Sequence, residues 1–179
     1  MSFSAITKLP LILLIFLGIV GTLLGIYLTD YHYQLTTKGE AEQIIPCNIS
    51  AKFNCDVVQK SSYSTLFNIP IAFLGALFYL TVAILAAVAC KEKYKETNLL
   101  IIFLLGTLAV LYSLFLYYVA RYIIGALCLY CITMYILNIS IFMVSFLTLS
   151  LHPKQIIIEK IKLIKEIPEF FKQPLKEQW

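Results

Sequence analysis

Charged side chains are scarce in this chain, at 13% of its 179 residues, about half the share usual in soluble globular proteins. A mean hydropathy of +0.86 accompanies that scarcity. Together they exclude a soluble globular fold and point to a polytopic membrane protein. The net charge is only +4, and no basic stripe crosses a polar domain, so no nucleic-acid partner is expected. Five cysteines are too few, in a chain this apolar, for a secreted fold stapled by disulfides. The two histidines, His32 and His152, have no histidine or carboxylate neighbours at ligand spacing, and both are expected at a membrane interface. No small-residue cleavage site follows the first apolar run, which is long for a signal-peptide core, so that run is expected to be retained.

In place of charge the chain has four apolar runs long enough to cross a bilayer, at about 9–28, 69–89, 99–119 and 127–149. The expected fold is an all-α membrane protein. Residues 1–151 form a four-transmembrane-helix bundle, with a long extracytoplasmic loop, 29–68, between helices 1 and 2. Gly21 and Gly25 have the small-xxx-small spacing that lets two membrane helices approach closely. Within the loop, short helices can form near 43–45 and 57–62. Residues 152–179 carry six lysines, with Ile156, Ile157, Ile161 and Ile164 among them. That tail reads either as an amphipathic helix on the membrane surface or as a solvated extension.

Four spans put both termini on one side. Lys8, the three lysines of 91–95 and the six tail lysines lie there. Lys38, Lys52, Lys60 and Arg121 lie on the other side, so the count is ten against four. The positive-inside rule then makes the termini cytoplasmic. Cys47, Cys55, Cys128 and Cys131 all share the extracytoplasmic (or lumenal) face. Cys90 falls at the opposite end of span two and reads as a buried bystander.

Two thiol pairs on one oxidising face suggest a relay, because thiol–disulfide exchange moves electrons through mixed disulfides. Cys128-Leu129-Tyr130-Cys131 opens the fourth span. Cys128 is expected in the first helical turn, where unpaired N–H groups favour the thiolate. Cys131 lies one turn deeper, towards lipid, and the acceptor suited to a thiol at that depth is a lipid-soluble quinone. The loop thiols would meet the water-side reductant. Four thiolates also suit zinc, but a CxxC…CxxC pattern is absent and no metal is expected. Tyr135 follows Cys131 by one turn on the same face; its phenol has either a quinone carbonyl or a structural partner to bond. Thr133, Asn138, Ser140 and Ser145 need partners inside the bundle. Asn48-Ile49-Ser50 is a formal glycosylation acceptor.

These residues resemble the vitamin K epoxide reductase family. The loop pair Cys47/Cys55 is spaced as in that family, and Asp56-Val57-Val58 with Ser61 follows it similarly. Asn68-Ile69-Pro70 and Leu74-Gly75-Ala76-Leu77-Phe78-Tyr79 are similar to the start of the family's second span. The stretch from Cys128 to Tyr135 resembles its redox centre. The resemblance implies a four-helix bundle around a quinone (ubiquinone, menaquinone or vitamin K type), capped by the outer loop. It implies that Cys47 exchanges with a thioredoxin-like partner and that Cys55 hands electrons to Cys128 through a transient Cys55–Cys128 disulfide. Cys131 then reduces the quinone, with Ser61 and Tyr135 contacting its ring or carbonyls. Many microbial members carry a fused thioredoxin-like domain. The tail here is too short for one, so a separate partner protein is expected. Vertebrate members place a quinone-binding asparagine where this chain has Ile71, which weighs against epoxide reduction.

The expected activity is therefore that of a quinone-dependent thiol oxidoreductase supporting extracytoplasmic disulfide formation. A quinone or quinone-epoxide reductase of the vitamin K cycle type is the alternative. A non-enzymatic transporter subunit or assembly factor is the alternative of another class. Membrane lipid, a quinone and a thioredoxin-like protein are the expected partners, and the oligomeric state is not read from the residues.

Overall fold

The computed structural model describes residues 3–39, 47–91 and 95–151. Helix α1 (Phe3–Thr37) is followed by a short α2 (Cys55–Gln59), one 3-10 turn (Ser62–Ser64) and a small hairpin of β1 (Thr65–Leu66) and β2 (Ile69–Pro70). Then come α3 (Ile71–Ala89), α4 (Lys95–Tyr118) continued by a π-helical turn (Val119–Ile124), and α5 (Leu129–Leu151). Four of these helices, α1, α3, α4 and α5, are long and apolar enough to cross a membrane. The all-α, four-span bundle expected of the sequence is thus present. The hairpin is the only sheet among the described residues. The 43–45 segment and the 152–179 tail lie outside the described residues.

Helix α1 has 35 residues, about 52 Å at 1.5 Å per residue, against roughly 30 Å of hydrocarbon. Residues 29–37, expected to begin the outer loop, are therefore helical. An apolar stripe explains the extension. Leu28, Tyr31, His32 and Leu35 are all buried at the three- and four-residue spacing of one helix face. On the outer side, the Gln34 amide donates to Asp30 at 2.6 Å. His32, expected at an interface, is accordingly inside the protein.

The seam between α1 and α3 is built on small residues. Gly18, Gly21 and Gly25 of α1 face Ala83, Tyr79 and Ala76 of α3, and a methyl group on Gly21 would overlap the Tyr79 ring. The Tyr79 hydroxyl lies 2.7 Å from Asn138 Oδ1 and 2.9 Å from the Met134 carbonyl. Asn138 Nδ2 in turn donates to Ser113 of α4 at 2.8 Å. One polar network so ties α3, α4 and α5 together and partners groups that lipid would leave unpaired. Thr133, Ser140 and Ser145 instead donate to carbonyls of their own helix. Phe103 stacks on Phe142 at 5.4 Å where α4 meets α5. Leu23, Leu108 and Ile136 point outward and are exposed, as lipid-facing side chains are.

Cys90 is exposed, with its thiol donating to the Ala86 carbonyl at 3.5 Å. This corrects the expectation of a buried cysteine. Val82, Ala86 and Ala89 hold the buried face of the last turns of α3, and Cys90 comes after the helix has ended.

Candidate functional site

Gly125, at φ 78, ends the π-helical turn, a left-handed conformation that glycine adopts without penalty. Two residues later the chain meets the segment between α1 and α3. Leu127 forms a one-residue parallel bridge with Phe53. The Leu127 N–H donates to the Lys52 carbonyl at 2.7 Å, and the Asn54 N–H donates to the Leu127 carbonyl at 3.0 Å. Just beyond this bridge each strand turns into a helix. Asn54 caps α2 by accepting from the Val57 N–H at 3.1 Å. Cys128 precedes α5, whose first residue is Leu129. The register of the bridge therefore delivers Cys55 and Cys128 side by side, with their sulfurs 2.9 Å apart.

Cys55 is also joined to Cys47 by a disulfide, with Cα atoms 5.7 Å apart. All three cysteines are buried. Asn48, next to Cys47, accepts from the Cys55 N–H at 2.9 Å and the Asp56 N–H at 3.4 Å. Tyr31 of α1 donates to the Asp56 carboxylate, which fastens α2 to the extension of α1. Tyr27 and Tyr130 pack edge to face at 5.2 Å. Their hydroxyls lie 3.3 Å apart.

Cys128 sits at the N-terminal cap of α5 rather than inside its first turn. The Cys131 N–H points at its sulfur at 3.3 Å. The Cys131 thiol, followed by the backbone N–H groups of Cys131 and Tyr130, holds the Cys128 thiol below its ordinary pKa, against the opposing effect of burial. The three sulfurs of Cys47, Cys55 and Cys128 lie within 4.8 Å of one another. With two of them in a disulfide one thiol remains, which is not a zinc donor set.

Cys131 borders a cavity of about 110 Å³. Tyr135 and Met134 of α5, Ile71 and Gly75 of α3, Leu116 of α4 and Ala120 of the π-helical turn contribute walls. Gln59 and Ser61 close it from the loop side. An apolar cavity of about 150 Å³ admits benzene, so this space is on the scale of one small ring. All six residues singled out in the sequence come together here. Cys47, Cys55 and Cys128 form the sulfur cluster, and Cys131, Ser61 and Tyr135 line the adjoining cavity. The sequence reading missed Gln59, which is buried and stands one turn after Cys55 on α2, a spacing that would have pointed to it.

The model of the vitamin K epoxide reductase family matches residues 12–146. The chain belongs to that family. Its four-span bundle matches the family's fold, and its buried cysteine triad is consistent with a redox-active site in a member of the vitamin K epoxide reductase family. A search of curated proteins finds no match. Cys90, near the far end of a 19-residue helix that begins at the cavity, belongs to neither part of the site.

Proposed function

We propose that this family member is a membrane thiol–disulfide oxidoreductase that carries electrons from a separate thioredoxin-like protein to a quinone. It thereby supports disulfide formation on the extracytoplasmic side. One observation carries this reading. The Cys128 sulfur stands 2.9 Å from a disulfide sulfur on one side, while Cys131, three residues on, borders a ring-sized apolar cavity.

The partner's dithiol reduces the Cys47–Cys55 disulfide by exchange at Cys47 and leaves as a disulfide. Cys55 then attacks a Cys128–Cys131 disulfide, forming Cys55–Cys128 and freeing Cys131. Cys47 resolves that bond, restoring Cys47–Cys55 and leaving Cys128 and Cys131 as thiols. The arrangement of bonds in the structure is the one that follows this last step. A bound quinone supplies the sink for the two electrons and two protons of the Cys128/Cys131 pair. Cys131 would face a ring held in the cavity, and Tyr135 and Gln59, which line the same space, would offer hydrogen bonds to its carbonyls. Ser61 would contact the ring as well, and its hydroxyl, which donates to the Val58 carbonyl at 2.7 Å, would have to turn to reach a quinone carbonyl. Ile71 offers no hydrogen bond at the wall where vertebrate members have asparagine, which favours a quinone over an epoxide.

The test is quinone reduction by the purified protein with a reduced thioredoxin-like donor. Cys131→Ser is expected to bring turnover to background. Turnover equal to the unmodified chain would overturn the reading.

A further inference from the structure

The backbone around Cys55 is held from two directions. On the Cys128 side, Lys52 and Asn54 are bonded to Leu127. On the Cys47 side, the Asn48 carboxamide accepts the Cys55 and Asp56 N–H groups. Between these anchors only the Cys55 sulfur has to move to change partners. The first anchor fixes Cys55 beside Cys128 whichever bond the sulfur makes. The second acts on a different pair, because Asn48 is bonded in sequence to Cys47.

This second anchor matters when the Cys47–Cys55 bond is open. The covalent closure of the segment 47–55 is then lost. Backbone bonds between Phe53 and residues 49 and 50 shape the middle of that segment, but Asn48 reaches Cys55 itself. A hydrogen bond across a short loop keeps the effective concentration of its two ends high. We propose that Asn48 is a positioning residue of the relay. Its carboxamide keeps Cys47 beside Cys55 while the Cys55 sulfur is bonded to Cys128, so that Cys47 resolves the mixed disulfide. In that step the Cys47 thiolate attacks the Cys55 sulfur. The Cys47–Cys55 bond forms, the Cys55–Cys128 bond breaks, and Cys128 leaves as a thiolate. No electron enters or leaves the protein. The proposal rests on the relay reading above and adds a determinant of how completely the internal transfer runs.

Asn48 is exposed, so its replacement leaves the core untouched. The experiment uses the full chain with Cys90→Ser and Cys131→Ser, which leaves three cysteines and one disulfide to distribute among them. The protein is equilibrated in a glutathione buffer, quenched in acid, alkylated, and its disulfides mapped. Adding Asn48→Ala is expected to raise the ratio of Cys55–Cys128 to Cys47–Cys55 roughly fivefold, the effect of losing one ordinary hydrogen bond. Asn48→Ser, polar but too short to reach, is expected to do the same and serves if the alanine variant fails to fold. Asn48→Asp keeps an acceptor oxygen while removing the Asn48-Ile49-Ser50 glycosylation pattern, and is expected to stay within about twofold of the parent. An unchanged ratio in both Asn48→Ala and Asn48→Ser would overturn the proposal, as would an equal shift in Asn48→Asp. If the parent itself forms no Cys55–Cys128 bond, the relay reading fails, and the role of Asn48 fails with it.

Discussion

At Cys128 the sulfur takes the place that a serine or asparagine oxygen holds at many helix N-termini, accepting an N–H from the third residue of α5. A thiolate is a better acceptor than a thiol, so this geometry favours the ionised form. The sign of the consequence is definite. A thiol held below its ordinary pKa becomes thiolate at lower pH than free cysteine, and it loses that advantage when the lowering groups are removed. With the Cys47–Cys55 disulfide intact and Cys90→Ser, thiolate absorbance against pH should show a first step below that of a cysteine peptide. Cys131→Ala should move that step upward, because the Cys131 thiol is the largest lowering influence. A first step at the peptide's position in both proteins would contradict this account. At this scale the sequence was informative where spacing along one helix decides proximity, as for Cys128, Cys131 and Tyr135. Asn48, Asp56 and Tyr31 were not legible as hydrogen-bonding groups around Cys55. Tyr31 and Asp56 are 25 residues apart, and neither carries a spacing signal for the other.

Among the elements, α1 best separates what hydropathy reveals from what it hides. The uncharged run marks the part that crosses lipid, yet the helix continues to Thr37. Its upper turns bury Tyr31 and Leu35 under the loop, and the polar residues between them look like loop composition. The lower part was readable through Gly21 and Gly25, whose spacing anticipated close packing; the partner helix and the Tyr79 ring opposite Gly21 became apparent only in the fold. Gly21→Ala should overpack this seam and cost about 2 kcal/mol, roughly a 6 °C fall in Tm for a chain of this size. The loss should largely vanish in a Tyr79→Ala background, because the two residues share one contact and their effects are then not additive. Equal losses in both backgrounds, measured by thermal unfolding in detergent, would place the strain elsewhere. The π-helical turn after α4 was likewise hidden. A short, mostly apolar link between spans says nothing about whether its last turn is α or π, although Val119, Ala120 and Ile124 of that turn all line the cavity.

For the whole molecule, the fold and the charge pattern constrain each other. The sulfur cluster, the cavity mouth and the 3-10 turn lie where α1 ends, α3 begins and α5 begins. Cys90 lies where α3 ends, and Lys91 and Lys95 are near it in the chain. The bundle therefore has a redox end and a basic end, separated by the 19-residue length of α3. With ten basic residues against four, the positive-inside rule favours a cytoplasmic basic end, and we propose that orientation. That orientation predicts opposite accessibility for two single-cysteine proteins. One retains only the exposed Cys90. The other has all native cysteines replaced and Lys52→Cys, also exposed, at the redox end. A membrane-impermeant maleimide added to intact cells or sealed right-side-out vesicles should label Lys52→Cys and spare Cys90, and permeabilisation should expose Cys90. The reverse pattern would invert the protein and bring the thiols to a reducing compartment. There a stable Cys47–Cys55 disulfide would not be expected, and the flow of electrons proposed here would lose its driving force.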